Sequence, residues 1–339
     1  MYILTKRKIM EKACVNRKYC FDIIYDWEDI LAEGLGIDII KRTEFEFGFD
    51  EKCRKIYRYL HIPFYRIFNL FDRKRGNAVI MFDASTKKQD GIYNNKKYIP
   101  CIIDYFLDES SYQLFLKAYS KNPFILVSSK EVYDYLTEKK CPLKIYHFPL
   151  SLPDDFQPAE GIEKKYDLVM FARQNPLLVK YIDKYEKEHP DFTLVRRKYE
   201  NDHYIYYLSS TGEVVSEGDT REQYINLVRS SRIAVYTTPG MDGTRMDANG
   251  WNQVTPHFLE EVAGMCHIIA RYPENADTQW YEMDQICKCV GSYEEFAQLV
   301  DRYRNESVDY EKYTRYLKKH YTTQRAALLK EILRENNFL

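Results

Sequence analysis

A helix start rich in hydrogen-bond donors opens the stretch from Val254 to Trp280. Thr255 followed by Pro256 is typical of such a start, because a threonine hydroxyl can accept a first-turn N–H and proline is tolerated at the first helical position. The N–H groups there carry partial positive charge and bind phosphate well. These donors would belong to His257 and Phe258, so the segment predicts a phosphate-binding turn.

Two adjacent acids, Glu260 and Glu261, lie in the next turn of the predicted helix. At about 100° per residue they flank an apolar stripe on opposite sides. The stripe consists of Phe258, Leu259, Val262 and Ala263. Two interpretations remain open: either both acids are solvated on an amphipathic helix, or one of them faces a ligand.

Polar residues also follow several predicted strands of the second half. Ligands of open parallel sheets bind beyond the carboxyl ends of the strands. The residues at these ends are Arg173, Thr237, Thr238 and Arg271. A glycine-containing loop, residues 239–253, adds Arg245 and is either part of this site or a surface excursion.

Two aspartates, Asp83 and Asp104, end predicted strands of the first half. A carboxylate in this position could act as the general base for an acceptor hydroxyl. It could equally cap the helix that follows. Both are therefore candidates for catalysis.

Short apolar runs alternate with longer amphipathic stretches along most of the chain, a pattern that predicts an α/β protein with mostly parallel sheets. "AVIMFDAS", "PCIIDYF" and "PFILVSS" are predicted strands of the first half. "YDLVMFAR", "FTLVRR", "RIAVYTT" and "HIIAR" are those of the second. The length of 339 residues and a proline-rich connector predict two domains. We place them at 1–152 and 164–308, with a linker at 153–163 and a helical tail at 309–339.

The composition excludes several classes of protein. A formal net charge of −1 argues against a protein that coats nucleic acid. The eight cysteines are scattered, and the sequence has neither a secretory signal nor an apolar run long enough for a bilayer, which predicts a cytoplasmic protein. Cys287 and Cys289 lack a second pair at zinc-site spacing, so we expect small buried residues rather than a metal site.

The stretch Lys52–Arg75 carries eight Lys and Arg residues against one Asp, interleaved with aromatic residues. It could lie on an anionic membrane surface or receive a lipid-linked acceptor. Its aromatics could instead enter the core of the first domain while the cations face water. Because Pro63 interrupts the pattern, we favour the second interpretation.

Three stretches resemble GT-B glycosyltransferases. "TPHFLEEVAGMCHIIA" is similar to the motif in which a glutamate-containing helix leads through a small-residue turn into an apolar strand. "YDLVMFARQNPLLVKYI" is similar to the start of the donor-binding domain, and "HIIARYPENADTQW" to a bacterial form of this region. The resemblance covers residues 164–300, and residues 1–150 by general pattern only. It implies two Rossmann-like domains facing each other across a cleft, with the acceptor bound by the first.

The same resemblance implies roles for individual residues. The second glutamate of the family's Glu-x7-Glu motif, which contacts the ribose of the donor nucleotide, falls on Glu260. The first falls on Asn252, and His267 replaces a common proline, so the sequence departs from the pattern and leaves the stereochemical class open. Arg173 and Arg245 correspond to basic residues that stabilise the departing diphosphate.

The implied donor-binding set is Thr238, Thr255, Pro256, His257, Phe258, Glu260 and Arg271. The implied activity is metal-independent transfer of a sugar from a nucleotide-diphosphate sugar to a glycan or lipid-linked acceptor in bacterial cell-surface polysaccharide or glycoconjugate synthesis. The enzyme would be cytoplasmic, with peripheral contact at the inner face of the membrane. Two alternatives remain: a nucleotide-sugar epimerase or hydrolase of this fold, and a non-catalytic nucleotide- or glycan-binding protein.

Overall fold

The computed structural model describes residues 1–8, 22–42, 44–60, 78–83, 94–171, 173–200, 203–217 and 220–339. Within these residues the chain forms two compact units. Unit 1 comprises Met1–Pro149 and Thr322–Leu339, and unit 2 comprises Leu150–Tyr321. The stretch from Asp309 onwards is helical and is divided between the two units.

Unit 1 contains a parallel sheet of six strands in the order β2-β1-β3-β4-β5-β6. Its strands are β1 (Tyr2–Lys8), β2 (Asp38–Arg42), β3 (Val79–Asp83), β4 (Tyr98–Ile102), β5 (Ile125–Val127) and β6 (Ile145–His147). The central strands β3 and β4 are buried almost throughout. A strand covered on both faces is apolar along its whole length, which explains the continuous apolar runs of this half.

The helices of unit 1 are α1 (Asp22–Leu35), α2 (Glu44–Leu60), α3 (Tyr112–Tyr119), α4 (Lys130–Glu138) and α11 (Thr322–Glu335). Helix α4 begins after Ser129, whose hydroxyl accepts the Val132 N–H at 3.2 Å. Helices α1 and α11 pack closely at Gly34, where a Cβ atom would lie 2.7 Å from that of Ala326.

Unit 2 also contains six strands, in the order β10-β9-β8-β7-β11-β12. They are β7 (Tyr166–Val169), β8 (Leu194–Glu200), β9 (His203–Leu208), β10 (Val214–Ser216), β11 (Ser231–Thr237) and β12 (His267–Arg271). The parallel part runs from β8 to β12, and β9 and β10 extend it in antiparallel fashion.

The helices of unit 2 are α5 (Pro176–Glu188), α6 (Arg221–Ser230), α7 (Pro256–Ala263), α8 (Ala276–Trp280), α9 (Tyr293–Tyr303) and α10 (Tyr310–Leu317). Helix α6 begins with a capping box. The Thr220 hydroxyl accepts the Gln223 N–H at 3.1 Å, while the Gln223 side chain accepts the Thr220 N–H at 3.3 Å.

The predicted α/β class and the predicted strands of both halves are confirmed. The antiparallel strands β9 and β10 were not predicted, because they are partly solvated and lack a continuous apolar run. Val214 on β10, for example, is 52% exposed. Of the basic stretch Lys52–Arg75, the part after Leu60 lies outside the described residues.

Candidate functional site

The carboxyl edge of the unit 2 sheet contains the point at which the strand order reverses. From β7 the chain first forms β8 on one side and later β11 on the other. Ligands of such sheets bind at this reversal. Arg173 follows β7, and Thr237 ends β11. The buried Asn175 amide donates to the Thr237 hydroxyl at 3.2 Å, which ties the two strand ends together.

An ion pair fastens the loop of residues 239–253 to the same edge. Arg271, at the end of β12, donates to both carboxylate oxygens of Asp242 at 2.8 Å and to the Val290 carbonyl at 2.7 Å. Asn175 donates to the same carboxylate at 2.9 Å. The Arg271 hydrogen bond lowers the pKa of Asp242. Arg271 was predicted to bind the donor, whereas its described contacts hold the loop.

The loop of residues 239–253 contains local structure that its sequence did not predict. It contains two short 3-10 turns, Met241–Gly243 and Met246–Ala248. A Cβ atom on Gly240 would lie 2.8 Å from the Gly250 carbonyl and from the Trp251 oxygen. Only glycine allows this close approach of two backbone segments.

Asn252, at the position where the resemblance would place an acid, is held by hydrogen bonds through its side chain and its backbone. Its side-chain oxygen accepts the Thr238 hydroxyl at 2.7 Å, and its amide donates to the Gly250 carbonyl at 2.7 Å. Asn275 donates to its backbone carbonyl at 3.2 Å. Thr238 is fully buried, so this pair joins the loop to the end of the sheet.

The start of α7 differs from its prediction in one respect. Pro256 occupies the first turn as expected, but the Thr255 side chain does not cap the helix. The Tyr236 hydroxyl from β11 instead accepts the Thr255 N–H at 2.9 Å and lies 3.3 Å from its side-chain oxygen. Burial raises the pKa of Tyr236 to about 12, against the opposing influence of Thr255 and Arg173. Of the two predicted phosphate donors, the Phe258 N–H is bonded to the Thr255 carbonyl at 3.1 Å.

Glu260 is buried and bonded through both oxygens. One oxygen pairs with the Arg221 guanidinium from α6. The other accepts the Tyr224 hydroxyl at 3.1 Å and lies 3.0 Å from His257 Nδ1. Burial alone would raise the pKa of Glu260, but Arg221 and His257 together lower it to about 2. The carboxylate is therefore charged at neutral pH.

Glu261 is fully buried, and neither of its side-chain oxygens has a hydrogen-bond partner among the described residues. Burial raises its pKa well above the ordinary value, and the charge of Glu260 adds to the effect. The expectation that the two acids might both be solvated is therefore wrong. Their neighbours on α7 line the core, so the helix from Phe258 to Ala263 is enclosed by unit 2.

Three further charged candidates are Arg245, which lies in the loop of residues 239–253, and Asp83 and Asp104, which lie in unit 1. Arg245, in the loop, donates to the Asp247 carboxylate at 2.7 Å and keeps about a third of its side-chain surface exposed. In unit 1, Asp83 ends β3 and accepts the Tyr119 hydroxyl at 2.9 Å. Asp83 is the register partner of Ile102 on β4, so Asp104 follows at the same edge of that sheet.

The cysteine prediction holds for one of two residues, since Cys287 is buried and Cys289 is exposed. In the described part of the chain, no three His, Cys, Asp or Glu side chains are grouped so that they could hold a metal ion. Across the same residues no helix is both long enough and apolar enough to cross a bilayer.

The chain matches no protein-family model and no curated protein. Solved structures do match it in shape. The pneumococcal O-GlcNAc transferase GtfA, solved with UDP and GlcNAc, is 13% identical with a TM-score of 0.50, over 80% of this chain and 59% of GtfA. TarM is 10% identical with a TM-score of 0.50, over 79% of this chain and 57% of TarM. The fold is GT-B.

Another GT-B match is the UDP-GlcNAc 2-epimerase of Methanocaldococcus jannaschii, which is 9% identical with a TM-score of 0.42, over 75% of this chain and 78% of that one. The chain spans less than two thirds of the length of GtfA and of TarM. At these identities the likeness establishes the GT-B fold alone.

Several residues that organise the site were not singled out in the sequence. Asn175 had a visible signal, since an asparagine before Pro176 is typical of a helix N-cap, and its side chain does accept the Leu177 N–H at 2.9 Å. Arg221, Tyr224 and Asp242 gave no such signal, because they contact residues that are distant in the sequence.

Proposed function

We propose that this protein is a glycosyltransferase that moves a sugar from a nucleotide-diphosphate sugar to a glycan or lipid-linked acceptor. We place it in the cytoplasmic synthesis of a bacterial cell-surface polysaccharide or glycoconjugate. The transfer needs no bound metal, because arginine side chains and a helix N-terminus can stabilise the leaving diphosphate.

The observation that supports this most is the charged, buried Glu260 on α7, beside the carboxyl edge of the unit 2 sheet in a GT-B fold. A carboxylate held in one orientation can accept hydrogen bonds from two ribose hydroxyls. Both of its oxygens are already bonded, so a ribose would replace one existing bond. His257 is the partner most open to solvent, with 40% of its side chain exposed, and its contact is the one we expect to be displaced.

The other candidate residues are assigned to the diphosphate, to the rest of the donor and to the acceptor. We assign Arg173 and Arg245 to the developing charge of the diphosphate, and the start of α7 to a phosphate oxygen. Thr238 would line the donor site, and Arg271 would support it through the loop. Asp83 or Asp104 of unit 1 would activate the acceptor hydroxyl.

The first test is thermal unfolding with UDP, GDP and their sugars. A true donor at about 100 times its Kd stabilises the protein by about 2.7 kcal/mol. For a unit of this size, this raises the melting midpoint by about 5–10 °C. Glu260→Gln should reduce this shift, whereas Glu294→Gln, an exposed glutamate on α9, should leave it unchanged. No shift with any nucleotide would overturn the donor site.

The second test is turnover of the nucleotide sugar that gives the largest shift. We expect consumption to depend on an added glycan or lipid-linked acceptor and to persist in EDTA. Release of free sugar or of an epimer without acceptor would contradict the transferase and favour the epimerase or hydrolase. Nucleotide binding without any turnover would favour a non-catalytic binding protein.

A further inference from the structure

A surface cavity of unit 2 lies between the last turn of α10 and the 3-10 turn Met283–Gln285. Its volume is about 90 Å³. A water molecule takes about 10–15 Å³ of such space, so the cavity has room for a group of several atoms. Six residues of this one unit line it: Gln285, Ile286, Lys312, Arg315, Tyr316 and Lys319.

The lining of this cavity is positively charged. Three of its six side chains are cations, and none is an acid. Lys312 and Arg315 lie three residues apart on one face of α10, and neither side chain forms an ion pair with any acid that the structure describes. Lys319, in the turn that follows, pairs with Glu282. Two positive charges of the cavity are therefore uncompensated within the described residues.

Three further acids belong to these two segments, but none of them lines the cavity. Asp309 accepts the Lys312 N–H at 2.9 Å and so caps the start of α10. Asp284 and Glu311 are exposed. From Tyr310 to Lys319 the chain carries four basic residues and one acid. A concave surface lined by one sign of charge raises the local concentration of counter-ions, which are anions in this case.

The inner wall of the cavity is fixed by the core of unit 2. Tyr316 is 4% exposed, and its hydroxyl donates to the Tyr281 carbonyl at 2.5 Å. Its ring meets that of Phe258 edge to face, with centroids 6.3 Å apart. Ile286 packs against the same core. Arg315, next to Tyr316 on the same helix, therefore extends from a backbone that the core holds in place.

The donors around the cavity match a phosphate group. A guanidinium presents paired N–H groups to phosphate oxygens, an ammonium binds them as a point charge, and the Gln285 amide adds neutral donors. A phosphomonoester carries about −1.5 to −2 charges at pH 7, which balances two uncompensated cations. A carboxylate carries one charge and would leave one cation unbalanced. The charge of the lining therefore favours phosphate.

We propose that this cavity binds a phosphate group, either as inorganic phosphate or as part of a small phosphomonoester. Lys312 and Arg315 bind its oxygens, and the Gln285 amide donates to it from the 3-10 turn. The binding does not depend on the proposed glycosyl transfer, because no residue assigned to the donor or to the acceptor lines the cavity.

The experiment is calorimetric titration of the whole protein with inorganic phosphate and with glycerol 1-phosphate, at constant ionic strength. At least one of them should bind at a single site with a Kd of about 1 mM or below. Lys312→Gln with Arg315→Gln should weaken this binding about 100-fold, since each charged contact contributes about tenfold, or about 1.4 kcal/mol. The probe that binds more tightly identifies the source of the phosphate group.

Lys288→Gln with Lys318→Gln is the matched control, because these exposed lysines belong to the same two segments but do not line the cavity. This variant loses the same charge and should bind phosphate like the wild type. Unchanged melting midpoints without ligand should show that all variants are folded. Absence of saturable binding by the wild type would overturn the proposal, and so would equal losses in the two double variants.

The thermal shift with UDP or GDP separates the cavity from the donor site. The variant that lacks Lys312 and Arg315 should keep the nucleotide shift of the wild type. A folded variant that loses both the nucleotide shift and phosphate binding would place the phosphate at the donor site and overturn the proposal. If the wild type shows no nucleotide shift, the proposed function fails, whereas the calorimetric comparison still decides the cavity.

Discussion

Glu260 and Glu261 are neighbours in one turn of α7 and are both buried, yet of the two only Glu260 has hydrogen-bond partners in the described part of the chain. Glu260 contacts Arg221, Tyr224 and His257, whereas the oxygens of Glu261 make no hydrogen bond among the described residues. The pKa values move in opposite directions, down for Glu260 and up for Glu261. Glu260 is therefore charged at neutral pH, whereas burial favours the neutral form of Glu261.

Glu261→Gln should stabilise the protein at high pH. Because the folded pKa of Glu261 lies above its ordinary value of 4.5, the folded state binds a proton that the unfolded chain releases. This stabilisation is complete below about pH 4.5 and is lost as the pH rises, by up to about 1.4 kcal/mol per unit. The melting midpoint of the variant minus that of the wild type should be larger at pH 8 than at pH 5. We expect this difference to grow by about 5 °C or more between the two pH values. An equal difference at both pH values would show that Glu261 is not the titrating group.

Arg221→Met should destabilise unit 2 strongly, because it leaves the Glu260 carboxylate buried without its cation. Loss of one partner from a buried ion pair costs about 3–5 kcal/mol. Adding Glu260→Gln should recover part of the loss, so a double-mutant cycle by chemical unfolding should show a clear interaction between the two sites. Additive losses would mean that the pair is not coupled.

The pH dependence of the Glu260 contribution should be opposite to that of Glu261. The pKa of Glu260 is lowered to about 2. The contribution of Glu260 to the free energy of unfolding is therefore complete above about pH 4.5 and is lost as the pH falls towards 2. The wild type should therefore lose its advantage over Glu260→Gln in acid, as measured by melting midpoints. An advantage that persists at about pH 2 would contradict this assignment.

Asp242→Asn should loosen the loop of residues 239–253 without changing its backbone preference. Asp242 has a φ of 51°, a left-handed conformation that asparagine also tolerates, so the variant removes mainly the charge paired with Arg271. Trypsin should then cut faster after Arg245, as followed by mass spectrometry of the fragments. Asp284→Asn is the control, because Asp284 is exposed and lies outside the loop. Equal rates in wild type and Asp242→Asn would show that the ion pair does not hold the loop.

Arg173→Ala should lower kcat more than it lowers nucleotide affinity, since a group that stabilises the leaving diphosphate acts mainly in the transition state. Losses of about 100-fold or more are typical of such groups. Arg302→Ala, on the exposed side of α9, serves as the control. A loss confined to affinity would place Arg173 in ground-state binding.

Local patterns in the sequence were enough for much of the fold. Buried parallel strands are apolar throughout, and helices such as α4 and α6 begin at serine or threonine caps. These signals lie within a few residues of each other, so they can be seen without the structure. The antiparallel strands β9 and β10 lack them, since β9 is rich in tyrosine and β10 is short, and both are partly solvated.

The surroundings of the site residues are formed by side chains that are distant in the sequence, so they could not be predicted from local patterns. Helical spacing placed Glu260 and Glu261 on opposite sides of a stripe, but it could not show that α6 covers Glu260 with Arg221 and Tyr224. Thr255 was a good cap by type, but its side chain lies 3.3 Å from the Tyr236 hydroxyl of another element and does not cap α7. The assigned roles of these residues in binding and catalysis remain predictions.

The arrangement of unit 1 affects the order in which the protein can fold during synthesis. Helix α11 packs on α1 through the tight contact at Gly34, although the two helices are separated by the whole of unit 2 along the chain. Unit 2 is continuous and can close its core as soon as Tyr321 has left the ribosome. The surface of α1 at Gly34 therefore stays uncovered until Thr322–Leu339 has been synthesised, after the whole of unit 2.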